Sequence, residues 1–254
     1  MLTAYLDVSR GSEPVYVLAG YIASVGQWDR FKPKWDRMLS DYGVDVYAPA
    51  DLDLKGLDGN RLGRYKGWSD EKASAFQRRA FAIVKEHRRV AMGSGIVTSD
   101  FHLKLSWTRK EGGLPTFYYV TALDLLKNVS AWAKHYKVRE PIQYIFETGD
   151  DGYYEIERLF ADMYKDPRRR DLYHIAGYSR QDKKKVNQLQ AAGIWAYECY
   201  KYVVNQHLDG KKRPVRESWN ALFRHYDWPF NTMWDKDNLP LLLKMYKDIG
   251  GLVG

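Results

Sequence analysis

Two apolar runs near the start of the chain limit the fold more than anything after them. Leu2-Thr-Ala-Tyr-Leu-Asp7 alternates apolar and mixed side chains at period two, the pattern of a half-buried strand. Val15-Tyr-Val-Leu-Ala-Gly-Tyr-Ile22 is a second strand, and Arg10-Gly11-Ser12 supplies turn residues between them. A β-hairpin therefore opens the fold. A hairpin cannot bury its apolar face alone, so the segments that follow must supply further strands and covering helices.

They do so in alternation. Trp28, Phe31, Trp35, Met38 and Leu39 keep helical spacing, with Pro33 placed to begin the longer helical part and Gly43 to stop it. The stretch from Ala48 to Trp68 has no clear period and is expected to be an irregular, functional or mobile loop. Ser69 is a sound N-cap for a helix from Asp70 to about His87. Val90 to Val97 reads as a strand, and a long helix is predicted from Pro115 to Tyr136, with Ala122, Leu125, Leu126, Val129 and Ala133 on one face. Pro141 to Glu147 is a strand ending in a carboxylate. Ile156, Leu159, Phe160 and Met163 mark another amphipathic helix, and Leu172 to Ala176 is a short strand. A helix from Asn187 presents Leu189, Gly193 (or Ala192) and Ala196 to a core. After Gly210 the pattern is helical around Pro214, Pro229 and Pro240. The expected organisation is one domain over residues 1–208, with a helical C-terminal extension over 209–254 packed on it.

Composition sets bounds on function. No run of about 18 apolar residues exists, so no membrane span is expected, and the N-terminus has neither the basic nor the apolar region of a signal peptide. The single cysteine, Cys199, excludes an internal disulfide and a cysteine metal cluster, which suits a reducing cytoplasm. The net charge of +8 is concentrated in Arg168–Arg170, Lys183–Lys185 and Lys211–Arg213. Such clusters suit phosphate-backbone contacts, or equally the solvated ends of loops. The six histidines show no metal-ligand spacing, and no phosphate-cradling Gly-x-x-x-x-Gly-Lys run or Gly-x-Ser-x-Gly elbow is present. Tyr153, Tyr154 and Trp107 are candidates for stacking on bases.

Asp7 and Glu147 both end predicted strands, where side chains of α/β sheets face the usual ligand crevice. Two hard oxygen ligands there suit Mg²⁺ or Mn²⁺, although hydrolysis by a metal pair needs roughly three or four acidic groups around one point. Turn or cap hydrogen bonding after a strand explains the same two residues without a metal.

Five stretches in order carry a family resemblance. They are Ala4-Tyr-Leu-Asp7-Val-Ser9-Arg-Gly11, Trp28-x-x-Phe31-x-x-x-Trp35 with Leu39, Tyr65-Lys-Gly-Trp-Ser-Asp-Glu-Lys72, Tyr144-Ile-Phe-Glu147-x-Gly149 and Leu189-Gln-Ala-Ala-Gly-Ile-Trp-Ala-Tyr-Glu198. Together they resemble domain-of-unknown-function family 3800, found in bacteria and phages, over residues 2 to 205. The resemblance implies a ribonuclease H-like mixed sheet flanked by helices and a divalent-metal nuclease using Mg²⁺ or Mn²⁺. It places Asp7 and Glu147 at the first two acidic positions, and Asp51 at the end of a Phe-His-x-x-Asp motif whose histidine is Ala48 here. Ser9 and Lys183, Lys184 and Lys185 would contact nucleic acid. The chain departs from the family where Val8 stands for a glutamate and where Gly193 stands for the third acid. Asp51, Asp150, Asp151 and Glu198 are the carboxylates that could replace it, with Glu198 off the helix face of Gly193, or Gly193 leaves room for backbone or substrate to approach. Two readings follow: a metal-dependent nuclease of impaired activity, or a non-catalytic relative that binds nucleic acid, a protein partner or a second copy of itself.

Overall fold

The opening hairpin forms as its pattern predicts. Strands β1 (Leu2–Arg10) and β2 (Val15–Ser24) pair antiparallel, with Leu6 opposite Gly20 and Asp7 opposite Ala19. The structure is a computed structural model describing residues 1–105, 116–149, 152–208, 213–223 and 232–241.

Helix α1 (Val25–Tyr42) follows β2 directly and ends at Gly43, whose φ of 70° only glycine adopts without strain. Pro33 lies inside this helix and does not begin it. The start is set earlier, by a capping box in which the Ser24 and Gln27 side chains satisfy each other's backbone N–H groups. The aperiodic stretch after α1 is more ordered than its sequence suggests. It holds the short helix α2 (Pro49–Asp53), a single 3₁₀ turn at Gly63–Tyr65 and an isolated bridge between Lys55 and Arg61. Ser69 caps α3 (Asp70–His87) through the Lys72 amide, as predicted.

Strand β3 (Val90–Val97) runs antiparallel to β2 and is followed by α4 (Thr98–Leu105), which has no clear signal in the sequence. Helix α5 (Phe117–His135) leads to β4 (Ile142–Glu147), then α6 (Tyr153–Tyr164) and α7 (Pro167–Leu172). The arginines at 168–170 are thus on a helix and not at a loop end. Strand β5 (Ile175–Gln181) starts three residues later than the sequence pattern places it and runs five further. The long helix α8 (Asn187–Gln206) and the short α9 (Glu217–Leu222) follow.

Among the described residues the sheet has six strands in the order β5-β4-β1-β2-β3-β6. Strands β4 and β5 run parallel to β1, while β2 is antiparallel to both its neighbours. The sixth strand, β6 (Thr232–Trp234), comes from the C-terminal segment expected to be helical and pairs parallel with β3. Three residues are too few to display a period, so composition could not separate this strand from helical surroundings. No helix among the described residues is long and apolar enough to cross a membrane.

Period-two alternation divides the hairpin between two cores. Leu2, Ala4, Leu6, Leu18 and Ile22 pack with α5 and α6, whereas Val17, Ala19, Tyr21 and Ala23 pack with α1, α3 and α8. Odd positions of β1 therefore face α8, and Asp7 is one of them. Helix α8 is buried along most of its length, which is why its sequence is apolar nearly all round.

One polar side chain joins these layers. Gln190 is 1% exposed and uses its whole amide. Its Oε1 accepts from Trp35 Nε1 at 3.0 Å and from the Tyr47 amide at 2.9 Å, and its Nε2 donates to the Lys183 carbonyl at 2.9 Å and to Asn187 Oδ1 at 3.0 Å. Replacing it by a leucine of similar bulk strands two buried N–H donors. We expect Gln190→Leu to lower the unfolding free energy by about 3 kcal/mol in urea titrations, against less than about 0.5 kcal/mol for Lys185→Ala on the exposed side of the same region.

Candidate functional site

The strand register brings the two predicted carboxylates to one place. In the parallel β1–β4 pair Leu6 lies beside Phe146, and Asp7 and Glu147 are the next residues on each strand. Leu6 and Phe146 point into the α5–α6 core, so Asp7 and Glu147 point the other way, toward α8. Both line a cavity of about 360 Å³ that is also walled by Ser9, Arg10, Tyr47, Ala48, Arg64, Lys183, Lys184, Gln190 and Gly193.

The two acids are held differently. Asp7 is 5% exposed; its Oδ1 accepts from the Val8 amide at 2.9 Å and its Oδ2 from Lys183 Nζ at 3.2 Å. Burial raises its carboxyl above the ordinary carboxylate value; Lys183 opposes the rise and the Glu147 charge adds to it. Glu147 folds back on its own turn, where Oε2 accepts from the Gly149 amide and Oε1 from Thr148 Oγ1. A Cβ at Gly149 would stand 2.7 Å from that Oε2, so a side chain there requires the Glu147 carboxylate to shift.

Gly193 has an equally local explanation. A Cβ built on it would lie 2.7 Å from Asp7 Oδ2, well inside van der Waals contact. The missing side chain lets the Asp7 carboxylate rest against the backbone of α8. Any residue here, an aspartate included, requires Asp7 to move from the Val8 amide and Lys183 that hold it.

The remaining predicted residues are partly assembled. Lys183 and Lys184 enter the cavity wall on the turn between β5 and α8, and Ser9 joins them from the end of β1. Asp182 shapes that turn: its Oδ1 accepts from the Lys184 amide at 2.8 Å, and its carbonyl from the amides of Lys185 and Val186 at 2.9 Å each. Lys185 does not line the cavity. Nor does Asp51, whose position in the first turn of α2 lets it face the Arg64 Nε at 3.6 Å while the same guanidinium bonds Asp45 at 2.6 Å. Ala48, at the position where the resemblance expects a histidine, lines the wall.

Among the described residues no group of three or more His, Cys, Asp or Glu side chains is placed to hold a metal ion. Asp150 and Asp151 lie outside the described residues, as does Trp107. Glu198 is committed elsewhere, accepting from Ser218 Oγ at 2.7 Å and from Arg216 Nε at 3.1 Å, while Arg216 also bonds Asp53 at 2.6 Å. Cys199 is buried, and burial together with the Glu198 charge pushes its thiol well up, which disfavours the thiolate. Of the proposed stacking residues, Tyr153 has the Arg180 guanidinium 4.1 Å over its ring, and Tyr154 is exposed. A larger cavity of about 420 Å³, lined by Glu13, Asp100, His207, Asp235 and Asp237 among others, contains none of the predicted residues.

Sequence reasoning missed two cavity cations. Arg10 reads as a turn residue, and Arg64 as one of several bases in an aperiodic loop. Strand ends carry no signal for which loop side chains fold over them. Compared with known proteins, the chain matches no protein-family model and no curated protein sequence.

Two measurements check this geometry. Gly193→Ala should lose about 1 kcal/mol despite the better helix propensity of alanine. In an Asp7→Ala background the same change should gain about 1 kcal/mol, because the overlap is gone and propensity remains. The second is the pH dependence of Asp7. Because the folded protein keeps the Asp7 proton to higher pH than the unfolded chain does, the contribution of Asp7 to stability falls as pH rises from the ordinary carboxylate value to the raised one. The stability of Asp7→Asn relative to wild type, measured by urea unfolding from pH 4 upward, should therefore rise through that window and then level off.

Proposed function

We propose that this chain binds the phosphate backbone of nucleic acid in the Asp7–Glu147 cavity, as a non-hydrolytic relative of ribonuclease H-like nucleases of family 3800. The observation that carries this reading is the charge of the cavity wall. Four basic side chains, Arg10, Arg64, Lys183 and Lys184, surround two carboxylates. Such a wall favours an anion. The strand order supports the fold assignment: three antiparallel strands, β3-β2-β1, are followed by β4 and β5 parallel to the first, as in ribonuclease H-like sheets.

The residues present do not fit a two-metal centre. Both oxygens of Asp7 already have partners, Glu147 bonds its own turn, and Gly193 supplies no third acid. Metal-dependent hydrolysis keeps one supporting observation, the convergence of Asp7 and Glu147 on one cavity, and the experiment decides between the two.

In the binding reading Lys184 and Arg10, both exposed at the rim, contact phosphate from outside, while Asp7 and Glu147 lie deeper and repel it. Affinity should therefore depend on salt and hardly on base sequence. Fluorescence anisotropy with labelled single- and double-stranded DNA and RNA should show binding that weakens steeply with salt, and Lys184→Ala should reduce the magnitude of the log–log salt slope by about 1. With Mn²⁺ added, the same substrates should stay intact on gels. Cleavage that disappears in Asp7→Ala would overturn the proposal in favour of a working nuclease.

A further inference from the structure

We propose that the Lys183 ammonium is the resident cation of the Asp7–Glu147 cavity, standing by its ion pair with Asp7 where a divalent metal would need to bind. This goes beyond phosphate binding, because it concerns why the cavity refuses a metal and which residue enforces the refusal.

Three placements carry it. Lys183 Nζ stands 3.2 Å from Asp7 Oδ2, at a carboxylate whose side chain is 6% exposed. That same oxygen lies against α8, where the absence of a Cβ at Gly193 leaves room for it. The other oxygen, Oδ1, takes the Val8 amide. Both oxygens thus have a partner, and on the cavity side that partner is Lys183.

The lysine is also delivered by a fixed backbone. Its carbonyl is held by Gln190 Nε2 at 2.9 Å, and the turn that carries it is closed by three hydrogen bonds to Asp182. The fixed backbone sets the point from which the side chain reaches Asp7, so no backbone ordering is needed to make the pair. Charge works in the same direction. A divalent ion entering beside Asp7 would face Lys183 first, with Lys184 and Arg10 on the same wall, while the Arg64 charge is already met by Asp45. Removing the Lys183 charge relieves the nearest of these repulsions and frees an oxygen ligand at once.

The test uses manganese alone with the full chain, without nucleic acid, so its outcome is separate from that of the binding experiment above. Calorimetry and paramagnetic broadening of the Asp7 and Gly193 amide resonances are followed in wild type, Lys183→Gln and Lys183→Arg. Wild type and Lys183→Arg should give no saturable heat and no selective broadening. Lys183→Gln should bind Mn²⁺ at least about tenfold more tightly than wild type, and Asp7→Asn in that background should abolish the gain. Selective broadening of wild type at the manganese concentration that saturates Lys183→Gln overturns the proposal. So does a folded Lys183→Gln protein that stays metal-free. If circular dichroism shows that Lys183→Gln does not fold, the wild-type and Lys183→Arg spectra decide: broadening in either overturns the proposal, and its absence from both upholds it.

Discussion

The buried amide of Gln190 is the constraint on which the site depends. Its four hydrogen bonds tie α8 and the turn before it, through Asn187 and the Lys183 carbonyl, to α1 at Trp35 and the backbone at Tyr47, 155 and 143 positions away. A buried amide of this kind stabilises only one arrangement, because each unmade bond leaves a desolvated polar group. Apolar packing between α8 and the sheet would tolerate small sliding motions. The amide does not, and so it fixes the height at which Lys183 meets the sheet and the position along α8 at which Gly193 meets Asp7.

Burying Asp7 disfavours its charge, and the fold offsets this with an amide, an ammonium and a helix stripped of its Cβ at the point of contact. The amide and the ammonium oppose the rise that burial imposes on the carboxyl without cancelling it. The glycine that a helix otherwise disfavours has its explanation here: it trades helix propensity for the close approach of a carboxylate.

Much of this was legible in the sequence, and the parts that were not share a cause. The hairpin, β3, the Ser69 cap and the strand-end positions of Asp7 and Glu147 follow from periodicity and local capping, which are properties of neighbouring residues. Pro33 was misplaced because the competing start signal, Ser24 with Gln27, is a reciprocal pair and outweighs a proline. The end of β5 was misjudged because Gly177 to Gln181 is polar. Its edge position, paired only with β4 among the described residues, leaves it half exposed and removes the apolar signal. At the site, the sequence pointed to Asp7, Glu147, Lys183 and Gly193 but could not pair them. The Asp7–Lys183 contact spans 176 positions, and Asp51 turns to Arg64 because both lie on the same short excursion around α2. Contacts of that kind are set by topology, which a linear pattern does not encode.

The placement of β6 has a consequence for how the molecule is made. Its partner β3 is complete once Val97 has left the ribosome, yet the residues that cover its outer edge, Thr232–Trp234, are synthesised more than a hundred positions later. Until then the edge at Ser94–Ile96 presents unpaired backbone groups, the surface through which strands of separate chains recognise one another. Folding of this sheet is therefore finished by a late, long-range pairing. A nascent chain stalled before that point carries an adhesive edge that the finished protein conceals.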